Sequence, residues 1–196
     1  AVAALLAELR DTLTLCGRHL ELEERHVHPA LEARRPGSTR HAQAEHAQHL
    51  QSLEELQAIA FRLEYLPALR RAPVALELYR ALARHLAADL EHMALEEGEN
   101  NRVLWETHSD DEIRAIEQAL RAELTPAERT LSMAAMLPAL NPAERAAMLA
   151  GMRSSAPAAF DQALALARRT LSSADLRKLE SALGIERTLA EYVGLL

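Results

Sequence analysis

Apolar residues in the first part of the chain recur every three or four positions. Leu5, Leu9, Leu13, Cys16, Leu20, Val27 and Leu31 form one such series, the spacing of a single helix face. It predicts a helix from near Ala1 to about Arg35, ended by Pro36-Gly37-Ser38. Pro29 lies inside it, where a kink or break is expected. A second series, Ala42, His46, Leu50, Leu53, Leu56, Ala60 and Leu63, predicts a helix from about Thr39 to Tyr65 and places His46 among leucines. A third helix, from about Val74 to Glu106, carries two adjacent stripes. One is Leu76, Tyr79, Ala83, Leu86, Leu90, Met93 and Leu104; the other is Leu78, Leu82, His85, Asp89, His92, Glu96, Glu99 and Val103. The second is apolar at its ends and polar in its middle, as a polar site inside a bundle would be and a solvated face would not.

Beyond Ser109-Asp110-Asp111 the pattern shortens. Helices are expected over about 110–123, 126–137, 142–152, 156–170 and 173–184. Thr125-Pro126, Asn141-Pro142, Ala156-Pro157 and Ser172-Ser173 mark their starts. The tail, Glu186–Leu196, receives no assignment.

Composition agrees with an all-α chain: good helix formers dominate, and aromatic residues make up only 3%. Two regions are expected, a metal-binding bundle over 1–108 and a helical extension over 109–196. The extension would pack on the bundle or form an oligomer interface, with a homodimer the simplest form. The formal net charge is −7. Residues 1–123 hold 22 acids against 14 arginines, and the remainder holds seven acids against eight basic residues. That balance argues against general nucleic-acid binding and suits a cation site. The one cysteine, Cys16, allows no intrachain disulfide, so a reducing, cytoplasmic compartment is expected. No apolar run reaches the length of a membrane span. Ala1 to Arg10 is broken by Glu8 and Arg10, unlike a secretory signal.

All nine histidines lie between His19 and His108. His19 with Glu23, His41 with Glu45, His85 with Asp89, and His92 with Glu96 are each four apart. That spacing puts both side chains on one helix face, about 6 Å apart along the axis. Glu23 interrupts an apolar stripe, and a lone buried carboxylate is costly unless paired, protonated or bound to metal. Two such pairs and a core histidine on a third helix make a metal centre the best reading. The candidate ligands are His19, Glu23, His46, His92 and Glu96, with His49, His85 and Asp89 as lesser candidates. Imidazole and carboxylate together suit iron, manganese or zinc. Two carboxylates from different helices can bridge two metals, leaving open positions for dioxygen, nitric oxide or water. Glu45, His28, His41 and His108 are expected at the surface or at loop ends, and Trp105 in the core. No substrate pocket is legible, so no enzyme is claimed.

At these residues the chain resembles the hemerythrin-like HHE cation-binding family. His19 to Pro29 looks like its HxxxEE helix followed by proline, Glu45-His46 like its single-histidine helix, and His92 to Glu97 like its final HxxxEE. The match covers about residues 1–106. Leu104-Trp105, Met136 to Asn141 and Gly151-Met152 are similar to an extension found in some bacterial members. The resemblance implies a four-helix bundle around a non-haem di-iron centre. Glu23 and Glu96 would bridge, and His19, His46 and His92 would be terminal ligands. Family members bind dioxygen, sense oxygen or redox state, or handle iron and nitrosative stress.

The family's first helix carries a further histidine, and here residues 1–18 read as the start of the helix that bears His19. That first helix is thus expected to be missing. The C-terminal helices, a second subunit or upstream residues would fill its place. Reversible oxygen carriers also place a histidine where Leu50 stands, which favours sensing or metal handling. Two other readings compete. Ferritin-like spacing of Glu23 with His26 and Asp89 with His92 would imply a di-iron oxidase. A metal-free interaction protein would use apolar faces such as Leu131, Met133, Met136, Leu137 and Leu140.

Overall fold

The structure is a computed structural model that describes residues 2–185. Every regular element among them is helical, so the all-α expectation holds. The unassigned tail, Glu186–Leu196, lies outside the described residues. No helix among the described residues is long and apolar enough to cross a membrane. The chain divides into two compact units, 1–124 and 125–196. The division falls one helix later than the expected boundary after residue 108.

Three long helical rods make up most of the first unit. The first joins α1 (Val2–Leu22), a π-helical turn (Glu23–Val27) and α2 (His28–Arg34). The second is α3 (Arg40–Tyr65). The third joins α4 (Arg71–Leu95), a second π-helical turn (Glu96–Asn100) and α5 (Asn101–Thr107). The short helix α6 (Asp110–Glu123) follows, started by a capping box in which Ser109 and Glu112 satisfy each other's backbone N–H groups. Glu32 organises the turn between the first two rods. It accepts hydrogen bonds from the backbone N–H groups of Gly37 and Thr39 and from the Thr39 hydroxyl. Gly37 takes φ 86° there, a conformation that glycine adopts without strain. Those bonds hold the Glu32 carboxyl down at about 2.

Two apolar layers stack along the rods. Leu13 and Leu20 of α1 pack with Leu53, Leu56 and Ile59 of α3 and Ala81 of α4. Nearer the other end, Leu31, Val103 and Leu104 pack with Ile113 and Ile116 of α6. Along the first rod Glu23 and His28 fall between Leu20 and Leu31, and along the third His85, His92 and Glu96 fall between Ala81 and Val103.

Several expectations about which face is buried need correction. On α3, Leu50 is exposed and His49 is buried, because the inward series runs 42, 46, 49, 53, 56, 60, 63. On the third rod the polar-centred stripe turns inward, as its profile predicts, burying His85, His92, Glu96 and Val103. The more apolar stripe turns outward and exposes Leu76, Tyr79, Leu86 and Leu90. Trp105, expected in the core, is 70% exposed. It neighbours Leu104 in sequence, and a helix turns about 100° per residue, so burying Leu104 swings Trp105 away.

The second unit comprises α7 (Pro126–Ala139), α8 (Pro142–Ser155), α9 (Pro157–Thr170) and α10 (Ser173–Ala182). Capping boxes at Thr125 and Asn141 start α7 and α8. Leu137, Leu149, Phe160, Leu164, Ala167 and Leu179 form its core.

Candidate metal centre

Each rod contributes to one polar cluster. His19 and Glu23 project from adjacent turns at the end of α1, His46 from the first half of α3, and His92 and Glu96 from the end of α4. Both HxxxE pairs meet a π-helical turn that begins at their glutamate. Such turns frequently occur at functional sites. In the first rod the wider turn accommodates Pro29, whose ring would meet the Arg25 carbonyl in a regular α-helix. His28 N–H donates instead to the Glu23 carbonyl, five residues back. An α-helix would point residues 23 and 28 about 140° apart. The π turn rotates His28 back toward the face of Glu23.

His46 and His92 are fully buried, and Glu96 is 7% exposed. His46 Nε2 lies 3.1 Å from His92 Nε2, 3.7 Å from Glu23 Oε2 and 3.6 Å from Glu96 Oε1. His92 Nε2 lies 3.6 Å from Glu96 Oε2, and His19 Nε2 lies 3.3 Å from Glu23 Oε2. One ligand atom from each of Glu23, His46, His92 and Glu96 falls within 4.8 Å of the others. Donors about 2.1 Å from a shared cation, at angles of 90–110°, stand roughly 3.0–3.4 Å apart. The cluster is close to that spacing.

The outer ends of the two core imidazoles are also held. His46 Nδ1 faces Glu24 Oε1 at 3.3 Å, and His92 Nδ1 faces Glu45 Oε2 at 3.0 Å. An Nδ1–H donated to each carboxylate leaves Nε2 unprotonated. Two lone pairs then face each other across 3.1 Å. Positive charge beside the two nitrogens, from bound cations or from a proton on one of them, removes that repulsion.

The carboxyl groups respond to the same crowding. Burial, then the charge of Glu96, pushes Glu23 up to about 9. For Glu96, burial acts upward but is outweighed by the imidazoles of His28, His46, His92 and His19, so it stays below its usual value. Glu23 should therefore lower the stability of metal-free protein as pH rises from about 4.5 to about 9, the range over which it ionises in the unfolded chain but not in the folded one. His19 and His49, held below their usual range by burial, act in the opposite sense within that window. Glu23→Gln removes the loss due to Glu23. In chelator at pH 8 the variant should unfold with a stability higher by on the order of 2 kcal/mol, after discounting for relaxation around a side chain that is not fully buried. At pH 5 the two should be equal. Urea titrations at both pH values check this, and an equal gap at both would remove Glu23 ionisation as its cause.

Of the lesser candidates, His49 and His85 are buried beside the cluster. Their rings meet edge to face at 5.7 Å between centroids, and His49 lies 4.9 Å from His92. Neither they nor Asp89 join the four-residue group, and of the principal candidates His19 also stands outside it. The ferritin-like pairing is not assembled either: His26 Nε2 turns to Glu123 Oε1 on α6 at 2.7 Å. His41 is exposed and His108 half-buried at its helix end, as expected.

Three residues with a place in the site escape the sequence reading. Glu24 and Glu45, the latter expected to face solvent, back the core imidazoles. His28, expected at the surface, is 2% exposed. The doublets Glu23-Glu24 and Glu45-His46 carried the only available signal, since neighbours on a helix flank one another. No protein-family model, no curated protein and no solved structure matches the chain.

Proposed function

We propose that this chain is a non-haem iron-binding protein of hemerythrin type, with a di-iron centre held by His19, Glu23, His46, His92 and Glu96. It would serve in sensing oxygen, nitric oxide or redox state, or in handling iron. The observation that carries the reading is the 3.1 Å approach of the His46 and His92 Nε2 atoms, each imidazole backed by a glutamate. A protonated pair would gain one hydrogen bond from that approach, but imidazoles each backed by a carboxylate are the usual partners of a metal ion. Bound iron would supply reversible redox chemistry and open positions for a diatomic ligand. His19, with 42% of its side chain exposed, lies on the solvent side of the cluster. Manganese or zinc suits the same donors. The single cysteine, Cys16, fits a reducing cytoplasm.

Thermal unfolding tests the reading. Ferrous iron added anaerobically at about 100 times its dissociation constant should stabilise the fold by about 2.7 kcal/mol. That corresponds to a rise in Tm of roughly 5–10 °C, reversed by chelator. A Tm indifferent to iron and chelator would favour the second reading, a metal-free helical interaction protein. The exposed apolar stripe Leu76, Tyr79, Leu86 and Leu90 on α4 supports that alternative.

A further inference from the structure

His28 is the least expected member of the cluster. It is 2% exposed, and neither ring nitrogen has a hydrogen-bond partner among the described residues. An imidazole carries a donor or an acceptor on each nitrogen, and leaving both unmade in the interior is costly. The ring stacks on His46 at 4.9 Å between centroids, inclined by 26°. Its Nε2 lies 3.9 Å from Glu96 Oε1. His28, Glu24 and His46 also form a second group whose ligand atoms fall within 4.8 Å of one another.

Glu96 orders these distances. Its Oε1 faces His46 at 3.6 Å and His28 at 3.9 Å. Its Oε2 faces His92 at 3.6 Å and His19 at 3.9 Å. The four imidazoles thus divide into two pairs, one for each oxygen of a single buried carboxylate. Glu23 Oε2 stands between the pairs, 3.3 Å from His19 and 3.7 Å from His46. A carboxylate whose two oxygens each meet two imidazoles is arranged to span two cations, and two-metal sites place their ions about 3.5–4 Å apart.

We infer that His28 is a metal ligand: with His46 it holds one cation position on Glu96 Oε1, while His19 and His92 hold another on Oε2. The inference rests on the metal-binding reading above and extends it. It gives the centre a fourth imidazole from this chain's own first rod, so both positions close without a histidine from any further helix. The π turn, by rotating His28 inward, makes this possible.

The test is iron per chain after anaerobic loading with ferrous iron and desalting, measured by mass spectrometry for wild type, His28→Ala and His28→Leu. The leucine variant fills the volume and guards against a cavity effect, and circular dichroism checks that both variants fold. Wild type should hold close to two irons and each variant close to one. Free imidazole, which fits the space left in His28→Ala, should restore the second. Two irons in both variants would remove His28 from the ligand set. One iron in wild type, unchanged in the variants, would overturn the two-position arrangement while leaving a mononuclear centre. No iron in wild type would overturn the metal reading itself, and this inference with it.

Discussion

If the proposed centre binds iron, Glu96→Gln should lose it almost completely, with affinity lower by more than about 100-fold and a fold unchanged by circular dichroism. The estimate has a floor, since removing only an outer partner of a metal ligand already costs about 10–100-fold. In the proposed centre Glu96 would be no outer partner: its two oxygens face His46, His28, His92 and His19 at 3.6–3.9 Å. Glutamine keeps the volume and removes the charge. It also replaces one oxygen by an NH2 group that can only donate, which turns a donor toward imidazole nitrogens that need a cation. Glu97→Gln is the matched control. It changes the net charge equally, but Glu97 is exposed, so its iron content should match wild type. Competition with a chelator of known affinity reads the difference. A Glu96→Gln protein that keeps wild-type iron would remove Glu96 from the centre.

Arg145→Met should destabilise the protein by about 3 kcal/mol. Arg145 is 3% exposed, in the second unit. Its Nε donates to the Leu137 carbonyl at 2.6 Å, and its Nη2 donates to those of Leu140 and Pro138 at 2.7 and 3.4 Å. The last carbonyls of a helix have no partner within it, and α7 has Pro138 in its final turn. One guanidinium thus caps the end of α7 from the first turns of α8. Methionine retains most of the volume but leaves buried carbonyls unpaired. Lysine, a point charge without the planar fork, should recover only part of the loss. Urea unfolding followed by circular dichroism measures the change, and a loss below about 1 kcal/mol would show that water or another group satisfies the carbonyls.

The arginine cap and the histidine–glutamate cluster differ in how far they could be read from sequence. Helix ends were legible wherever a local signal set them. Ser109 with Glu112, Thr125 with Glu128 and Asn141 with Glu144 all form the capping boxes their spacing suggests. The core of the cluster was legible for a similar reason. A spacing of four fixes His19 to Glu23 and His92 to Glu96 on any helix, and His46 lies on the apolar face of α3 whichever neighbour covers it. Features that depend on how one rod meets another were not legible. On the third rod the polar-centred stripe was legible as an inward site, but the outward turn of the more apolar stripe, with Leu76, Tyr79, Leu86 and Leu90 exposed, follows only from packing against α1 and α3. Leu50 and His49 exchange places for the same reason. Arg145 reads as an ordinary helix-surface residue until α7 is seen to end beside it. The π turns are another such case. Pro29 predicted a disturbance, but the rod absorbs it by widening, and the widening carries His28 from the expected surface into the centre. Glu24 and Glu45 become meaningful only once the imidazoles they back are in place.

The proposed centre depends on one property that can be measured directly: iron bound per chain. The measurement is mass spectrometry of the full chain after anaerobic loading and desalting, beside a variant carrying both Glu23→Gln and Glu96→Gln. The account predicts close to two irons in the first and background in the second. Iron at background in both, in a chain that is folded by circular dichroism, would contradict it.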